Sequence, residues 1–287
     1  MMTNYDYVQK AIDLFEDSLL SGAPIRSASE LAGKVGYSTH YLGSLFQALC
    51  EEGLGRYILR RRLSSAVSSV REGKVKPSEV YPLFGWEDYS AFSRAVRKEF
   101  GVSPGALRDL DARDIRYATR AHPTLPKHLS PGFPEPHVME TDAIHVSGMV
   151  FFMGMNEKGY HRPWRIFMKN KDKLRSVIGA DTFQFSSWDD AAASEDEGFW
   201  IHCAVRTDPV ATQEMLFFSR EIPAMRVLAF EHTGPVETIH DTYRRIYTEY
   251  LPSGSFRLSG GFEYQHYGQD GSIRICMPVA DSGIENN

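Results

Sequence analysis

Cysteine is scarce in this chain: Cys50, Cys203 and Cys276 are the only three among 287 residues. An odd number with no CxxC spacing excludes a disulfide framework, argues against a zinc site, and fits a reducing cytoplasm. Long apolar runs are missing too. The best stretch, residues 148–155, falls far short of the ~18 residues that a membrane span requires. Residues 1–6, Met-Met-Thr-Asn-Tyr-Asp, place no basic stretch ahead of an apolar one, so no secretory signal is expected. There is no GxSxG, P-loop or HExxH pattern, and His202, His232, His240 and His266 form no i,i+4 pair. Nothing therefore marks a nucleophile, a phosphate cradle or a metal centre, and no catalytic residue, metal or cofactor is expected.

What is present is ordinary in bulk and uneven in detail. The 42 % hydrophobic and 24 % charged residues suit a folded protein, and the length suits two domains. The formal charge of −5 speaks against nucleic acid as a partner when taken whole. Taken by segment it does not. Residues 1–55 hold three basic and seven acidic side chains, residues 56–108 eleven and five, and residues 109–287 eighteen and 25. A basic middle thus lies between two acidic flanks, and partners respond to local fields rather than totals.

Up to about residue 108 the apolar residues recur at helical spacing, as in Tyr41, Leu42, Leu45, Phe46 and Leu49, and again in Tyr89, Phe92, Val96 and Phe100. Gly36 and Gly85 interrupt two such patterns where a short helix meets a longer one, and Ser38 can cap the helix that follows it. Helix, glycine turn and second helix is the geometry that lays a helix in a major groove. Pro82 falls inside the short helix before the second turn and confines it. Residues 109–136 read as a linker or extended strap, because five of the 15 prolines lie between 123 and 136. Beyond it the pattern is strand–helix–strand–strand, used twice: strands over 143–152, 182–188 and 199–206 with a helix over 164–178, then strands over 225–232, 261–267 and 273–279 with a helix over 236–251. Such a duplication builds one sheet with two helices on a single face.

The stretch from Phe84-Gly85-Trp86 through Tyr89-Ser90-Ala91-Phe92-Ser93-Arg94 to Phe100-Gly101-Val102-Ser103-Pro104 resembles the signature of the AraC/XylS family of transcription regulators. Gly36-Tyr37-Ser38 to Leu45-Phe46, and Gly55-Arg56-Tyr57-Ile58 to Arg60-Arg61-Arg62-Leu63, match in the same register. The resemblance implies an all-α tandem helix-turn-helix domain over 1–108 that binds double-stranded DNA, with its two recognition helices about 34 Å apart along the duplex. In the second recognition helix Ser90, Arg94, Arg97 and Lys98 face outward. Arg94 holds the position of the family's base-reading arginine and can pair bidentately with guanine, while Arg97 and Lys98 suit phosphates. In the first, Thr39, His40, Ser44 and Gln47 are the candidates. The family's arginine is absent there, since Ser44 stands in its place, and the excess of acidic over basic residues in 1–55 leaves little phosphate attraction for this helix.

The duplicated half resembles the GyrI-like ligand-binding domain, with an α+β fold over 137–287. The motifs are His232-Thr233-Gly234-Pro235-Val236, Phe262-Glu263-Tyr264 and Ile275-Cys276-Met277-Pro278. The resemblance implies that Glu263 faces an aromatic cavity for a cationic, lipophilic effector, with Trp164, Trp200, Tyr247, Tyr264 and Tyr267 as candidate walls. A carboxylate among aromatics is costly when empty and favourable when a cation neutralises it. Strand alternation already puts Glu263 and Tyr267 on one face and Phe262 and Tyr264 on the other. Contacts with RNA polymerase are a further implied partnership. A rival reading makes this half a hydrolase, with Glu263 as general base beside Trp164 or Trp200, or a drug-sequestering protein with weakened DNA binding.

Overall fold

The computed structural model describes residues 2–109, 111, 113, 115–125, 130–133, 135–154, 161–187, 198–254, 256–259 and 262–280, with only the backbone at 154, 187, 198 and 199. Contacts divide the chain into two compact units, Met1–Lys127 with Pro252–Gly254, and His128–Leu251 with Ser255–Asn287.

The first unit is helical: α1 (Asn4–Leu20), α2 (Ala28–Val35), α3 (Thr39–Cys50), α4 (Leu54–Arg71), α5 (Val80–Leu83) and α6 (Tyr89–Phe100). Each recognition helix starts at a side-chain cap. The Ser38 hydroxyl accepts from the Tyr41 amide at 3.2 Å, and the Asp88 carboxylate accepts from the Ala91 amide at 2.7 Å. Each preceding turn contains a left-handed glycine, Gly36 at φ 74° and Gly85 at φ 80°. α5 is a single turn, as the missing amide of Pro82 demands. α4 joins the two halves. Tyr57 near its start packs against Phe15 and Phe46 at ring-centroid distances of 5.5 and 5.1 Å. Further along, Leu63, Ala66, Val67 and Val70 share a core with Val80, Phe92, Val96 and Leu107. Eighteen helical residues span about 27 Å. The two helix-turn-helix units are thus built on opposite ends of one rod of nearly the length of a DNA turn.

Gly85 is constrained twice. Its φ favours glycine, and an added Cβ would lie 2.9 Å from the Arg26 side chain and 2.9 Å from Arg62 Nη2. Gly85→Ala is expected to lower the stability of this unit by about 1–3 kcal/mol, measured as a shift in the thermal midpoint. Gly33→Ala has open space and an ordinary helical backbone, and is expected to raise it by up to about 1 kcal/mol.

The stretch over 109–136, expected as a linker or extended strap, runs as a strap at its centre. Residues 115–125 are tied to the first unit: the Ala118 amide donates to Ser64 Oγ at 2.8 Å, Arg61 Nη1 donates to the Ala118 carbonyl at 2.6 Å, and the Thr124 amide donates to the Leu49 carbonyl at 2.9 Å. Ile115 and Ala118 are buried there. Proline richness marks an extended chain, and here that chain is a strap whose small apolar residues find a helix surface.

The second unit holds β1 (His137–Thr141), β2 (Ile144–Gly154), α7 (His161–Asn170), β3 (Val177–Ser187), β4 (Gly198–Thr207), β5 (Phe218–Ile222), β6 (Met225–His232), α8 (Ile239–Arg245), β7 (Phe262–Tyr267) and β8 (Ile273–Pro278). All pairings are antiparallel, in the order β1-β6-β8-β7-β3-β4-β2-β5. The two repeats meet at the β3–β7 seam. Sequence reading misses both edge strands. Each precedes one repeat in the chain and pairs with the other repeat, β1 with β6 and β5 with β2. It also carries the first helix too far. α7 stops at Asn170, and Val177, β-branched and paired with Thr207, already belongs to β3.

The sheet curls over one face. Arg220 on β5 stands 5.9 Å from the ring centroid of Phe185 on β3, three strands away, where a flat sheet would separate those strands by about 14 Å. At the other edge Tyr264 on β7 hydrogen-bonds Thr141 on β1, again three strands away. Inside the curl lie Val146, Phe183, Phe185, Ala204, Ile222, Val227, Ala229, Tyr264 and Cys276. Opposite them, Met149, Met153, Ile201, Cys203 and Val205 pack with Phe167 and Trp164 of α7.

Candidate nucleic-acid interface and ligand site

α6 buries Phe92 and Val96, which turns Ser90, Arg94, Arg97 and Lys98 outward into solvent. Tyr89, expected on the buried stripe, is 40 % exposed at the start of the helix. On α3, Tyr41, Leu42, Leu45, Phe46 and Leu49 are buried and Gln47 is exposed, while Thr39, His40 and Ser44 are half-buried. The surroundings of His40 desolvate its imidazole and push it down to about 3, which favours the neutral form. The first helix thus presents hydrogen-bonding groups and no cation among its described outward residues.

The basic middle of the sequence divides by use. Arg60 pairs with Glu99 at 2.7 Å and Glu52 at 3.0 Å. Arg61 pairs with Glu16, and burial of that carboxyl is outweighed by Arg61 and Tyr57, which hold it below the usual carboxylate range. Arg62 is buried. Its Nε donates to the Phe84 carbonyl at 2.8 Å and its Nη1 to the Arg26 carbonyl at 2.9 Å, while the guanidinium lies 4.5 Å from the Trp86 ring. Burial, then the charge of Arg26, lowers it to about 10. Three of the arginines that make this segment basic are therefore structural. Of the eight basic side chains that remain, Arg94, Arg97 and Lys98 lie together on the outward face of α6.

In the second unit, alternation along β7 sends Glu263, Gln265 and Tyr267 to the face covered by helices. Glu263 is 5 % exposed, and Tyr247 donates to its Oε2 at 3.0 Å. Burial pushes the carboxyl up to about 7 against the lowering effect of that hydrogen bond. Gln265 Nε2 donates to Tyr243 Oη at 3.2 Å, and Tyr267 Oη donates to Gln265 Oε1. Across the seam Gln184 faces Gln265 and Ser186 faces Glu263. Trp164 Nε1 donates to Gln184 Oε1 at 2.7 Å and its ring meets Tyr267 edge-on at 5.4 Å. Each repeat thus sets an aromatic donor or acceptor from its own helix over its own glutamine.

The six ligand-wall candidates do not share a site. Glu263, Tyr247, Tyr267 and Trp164 converge. Tyr264 is on the opposite face, packed with Phe185 at 5.5 Å. Trp200 is there too, since it pairs with Ser187 and Phe152 while its neighbour Ile201 belongs to the α7 side. The general-base reading with Trp200 as platform loses its geometry for that reason. Gln184, Gln265 and Tyr243 were missed. The visible signal was a lone glutamine between Phe183 and Phe185 in an alternating strand.

α8 continues as a wider π turn, Ile246–Tyr250. Tyr247 reaches Glu263 from this turn. Two neighbours hold residues 130–133 instead: the Ser130 amide donates to Glu249 Oε2 at 2.7 Å, and Phe133 stacks on Tyr250 at 5.8 Å and 2°. A cleft of about 460 Å³ opens here, lined by Ser130, Gly132, Phe133, Glu135, Pro136 and Tyr250. Two of the histidines are satisfied individually: His232 bonds Thr242 at 2.8 Å and the Pro235 carbonyl at 3.0 Å, and His266 meets Asp181 at 3.0 Å. Among the described residues no group of three or more His, Cys, Asp and Glu side chains is placed to hold a metal, and no described helix is long and apolar enough to cross a membrane.

A capped tandem of helix-turn-helix units, followed by a duplicated sheet domain with a buried carboxylate under its helices, defines a class. It is a helix-turn-helix protein with a GyrI-like small molecule binding domain. Residues 31–109 match the helix-turn-helix domain family, and residues 135–280, half of the chain, match the GyrI-like small molecule binding domain family. The chain belongs to the AraC/XylS regulators that carry this GyrI-like domain. Regulatory protein SoxS of Salmonella typhimurium is 33 % identical over 78 residues, which cover 27 % of this chain and 73 % of SoxS. Probable transcription factor PqrA of Proteus vulgaris is 29 % identical over 79 residues, 28 % of this chain and 65 % of PqrA, so under two thirds of that relative is spanned. The solved C-terminal domain of EcmrR is 14 % identical with a TM-score of 0.41, covering 51 % of this chain and 98 % of that one.

Proposed function

We propose that this chain is a cytoplasmic, DNA-binding transcription regulator whose second unit senses a cationic, lipophilic small molecule. The observation that carries the ligand half is Glu263, a carboxyl sealed under Tyr247 on an otherwise apolar and amide-lined face. A neutralising cation with an apolar body is the ligand such a group favours over water. The site is closed, so entry displaces the Tyr247 side chain. Because Tyr247 shares its π turn with Glu249 and Tyr250, that displacement loosens or resets the hold on residues 130–133. The chain leading to the first unit then responds, and DNA affinity or contact with RNA polymerase changes with it. The ligand shifts this balance only by as much as it prefers one arrangement.

For the DNA half, α6 is the reading helix and α3 the auxiliary one. Arg94→Ala is expected to weaken specific binding by about 1–3 kcal/mol and to relax one base preference. Ser44→Ala and His40→Ala are expected to cost under about 0.5 kcal/mol, because neither brings charge to a phosphate. Selection of bound fragments from genomic DNA by the purified protein, with anisotropy titration of the recovered site, measures both. Failure to enrich any sequence overturns the regulator reading. A larger loss for Ser44→Ala than for Arg94→Ala reverses the order of the helices. The hydrolase reading is tested on the same material: product formation from an electrophilic ligand, lost in Glu263→Gln, replaces sensing by catalysis.

A further inference from the structure

The β3–β7 seam carries a buried donor with nothing to donate to. Gln184 is fully buried, and among the described residues its Nε2 has no hydrogen-bond partner. The orientation of the amide is not ambiguous. Trp164 Nε1 sits 2.7 Å from the other end of it, an indole N–H only donates, and so that end is the carbonyl oxygen. Gln265, directly across the seam, is satisfied at both ends by Tyr243 and Tyr267. The asymmetry between two glutamines in matching positions is therefore local to Gln184. A buried N–H without a partner is costly to leave and rare in folded proteins.

Its place on the sheet decides what it is for. Ser186 is the residue opposite Glu263, and Gln184 is two residues away on the same strand and the same face. Gln184 and Glu263 are thus diagonal neighbours across the seam, about 7 Å apart at the level of their first side-chain atoms. That is the span of one small ligand with a cationic centre at one end and an oxygen near the other.

We propose that Gln184 Nε2 is a second recognition point of the effector site, and that the effector is a cation carrying a hydrogen-bond acceptor, such as a carbonyl oxygen, about two bonds' reach from its apolar body. The inference rests on Glu263 being the cation site. It narrows the ligand class from lipophilic cations in general to those with an acceptor, and leaves bare aryl or alkyl cations as weak binders. Tyr247 closes the carboxylate end, and Trp164 holds the amide so that the free N–H bonds stay turned from the indole.

Calorimetric titration with two matched probes tests this on the full chain. Benzoylcholine has an ester carbonyl between its ring and its quaternary ammonium. 4-Phenylbutyltrimethylammonium has the same chain length without the ester. Wild-type protein is expected to prefer benzoylcholine at least tenfold, and Gln184→Met to bind both equally with the phenylbutyl probe unchanged. Glu263→Gln is expected to weaken both probes and keep the preference. Equal binding of the probes by wild-type protein, with both weakened in Glu263→Gln, overturns the Gln184 subsite and leaves the cation site standing. Binding of neither probe, or binding indifferent to Glu263→Gln, overturns the cation reading and the subsite with it. The wild-type comparison stands even where Gln184→Met fails to fold.

Discussion

Glu263→Gln is expected to make the protein more stable above pH 7 and nearly blind to its cation. Both effects come from one group whose folded-state value, about 7, lies above the ordinary 4.5. Between these values the folded chain holds a proton that the unfolded chain has released, so stability falls as pH rises from about 4.5 to about 7 and is flat beyond. The full penalty is on the order of 3 kcal/mol, and a glutamine does not carry it. In a thermal-unfolding series the variant should therefore gain on the wild type across that window and keep its lead at pH 8. At pH 4 the two should coincide. Ligand binding has the opposite slope. A cation needs the carboxylate, so wild-type affinity for a probe such as benzoylcholine should rise about tenfold per pH unit below 7 and level off above it. Glu263→Gln should remove that slope and weaken binding at pH 8 by at least about 30-fold, the lower end for breaking a buried charge pair. A wild-type affinity independent of pH would show that the carboxyl is not the cation's partner.

Arg62→Ala is expected to be the most damaging single change in the helical unit, at about 3–5 kcal/mol in denaturant unfolding. Arg62 is buried and bonds two carbonyls, Phe84 just before the Gly85 turn and Arg26 just before α2, with Trp86 against its plane. Its loss strands two backbone acceptors, removes charge-assisted bonds and opens a hole where the helix-turn-helix units meet. No carboxylate pairs with it among the described residues, so salt should leave the effect unchanged. Arg60→Ala is the control. Its partners Glu52 and Glu99 are partly exposed, and an ion pair of that kind contributes under about 1 kcal/mol. Equal costs for the two substitutions would mean that Arg62 does not join the units.

The helical unit was legible because its signals are local. Ser38 and Asp88 cap, Gly36 and Gly85 turn, and apolar residues at 3.6 spacing choose a face, all within a dozen residues. The duplicated strand–helix–strand–strand order was legible for the same reason. The edge strands were not. β1 is mostly exposed and β5 is five residues long, so neither carries an apolar alternation, and both exist because a distant strand offers an unpaired ladder. The end of α7 was overrun because the lysine-rich stretch after Asn170 keeps helix-forming composition while Val177 is captured by Thr207.

The arginines of 60–62 show the limit for charge. Composition marks a basic segment, but whether a guanidinium faces solvent or a carbonyl depends on what folds against it: Arg61 and Arg62 bond carbonyls, while Arg94, Arg97 and Lys98 of α6 stay at the surface. The candidate ligand site divides in the same way. Period-two alternation alone puts Glu263 and Tyr267 together and Tyr264 apart, because the pleat is a local property of the backbone. Which strand lies beside β7, and so whether Trp164 or Trp200 shares its face, was decided by long-range pairing at the seam. The orphaned amide of Gln184 is likewise invisible in the sequence. A glutamine always brings a donor and an acceptor, and only the packing around it determines whether both are met.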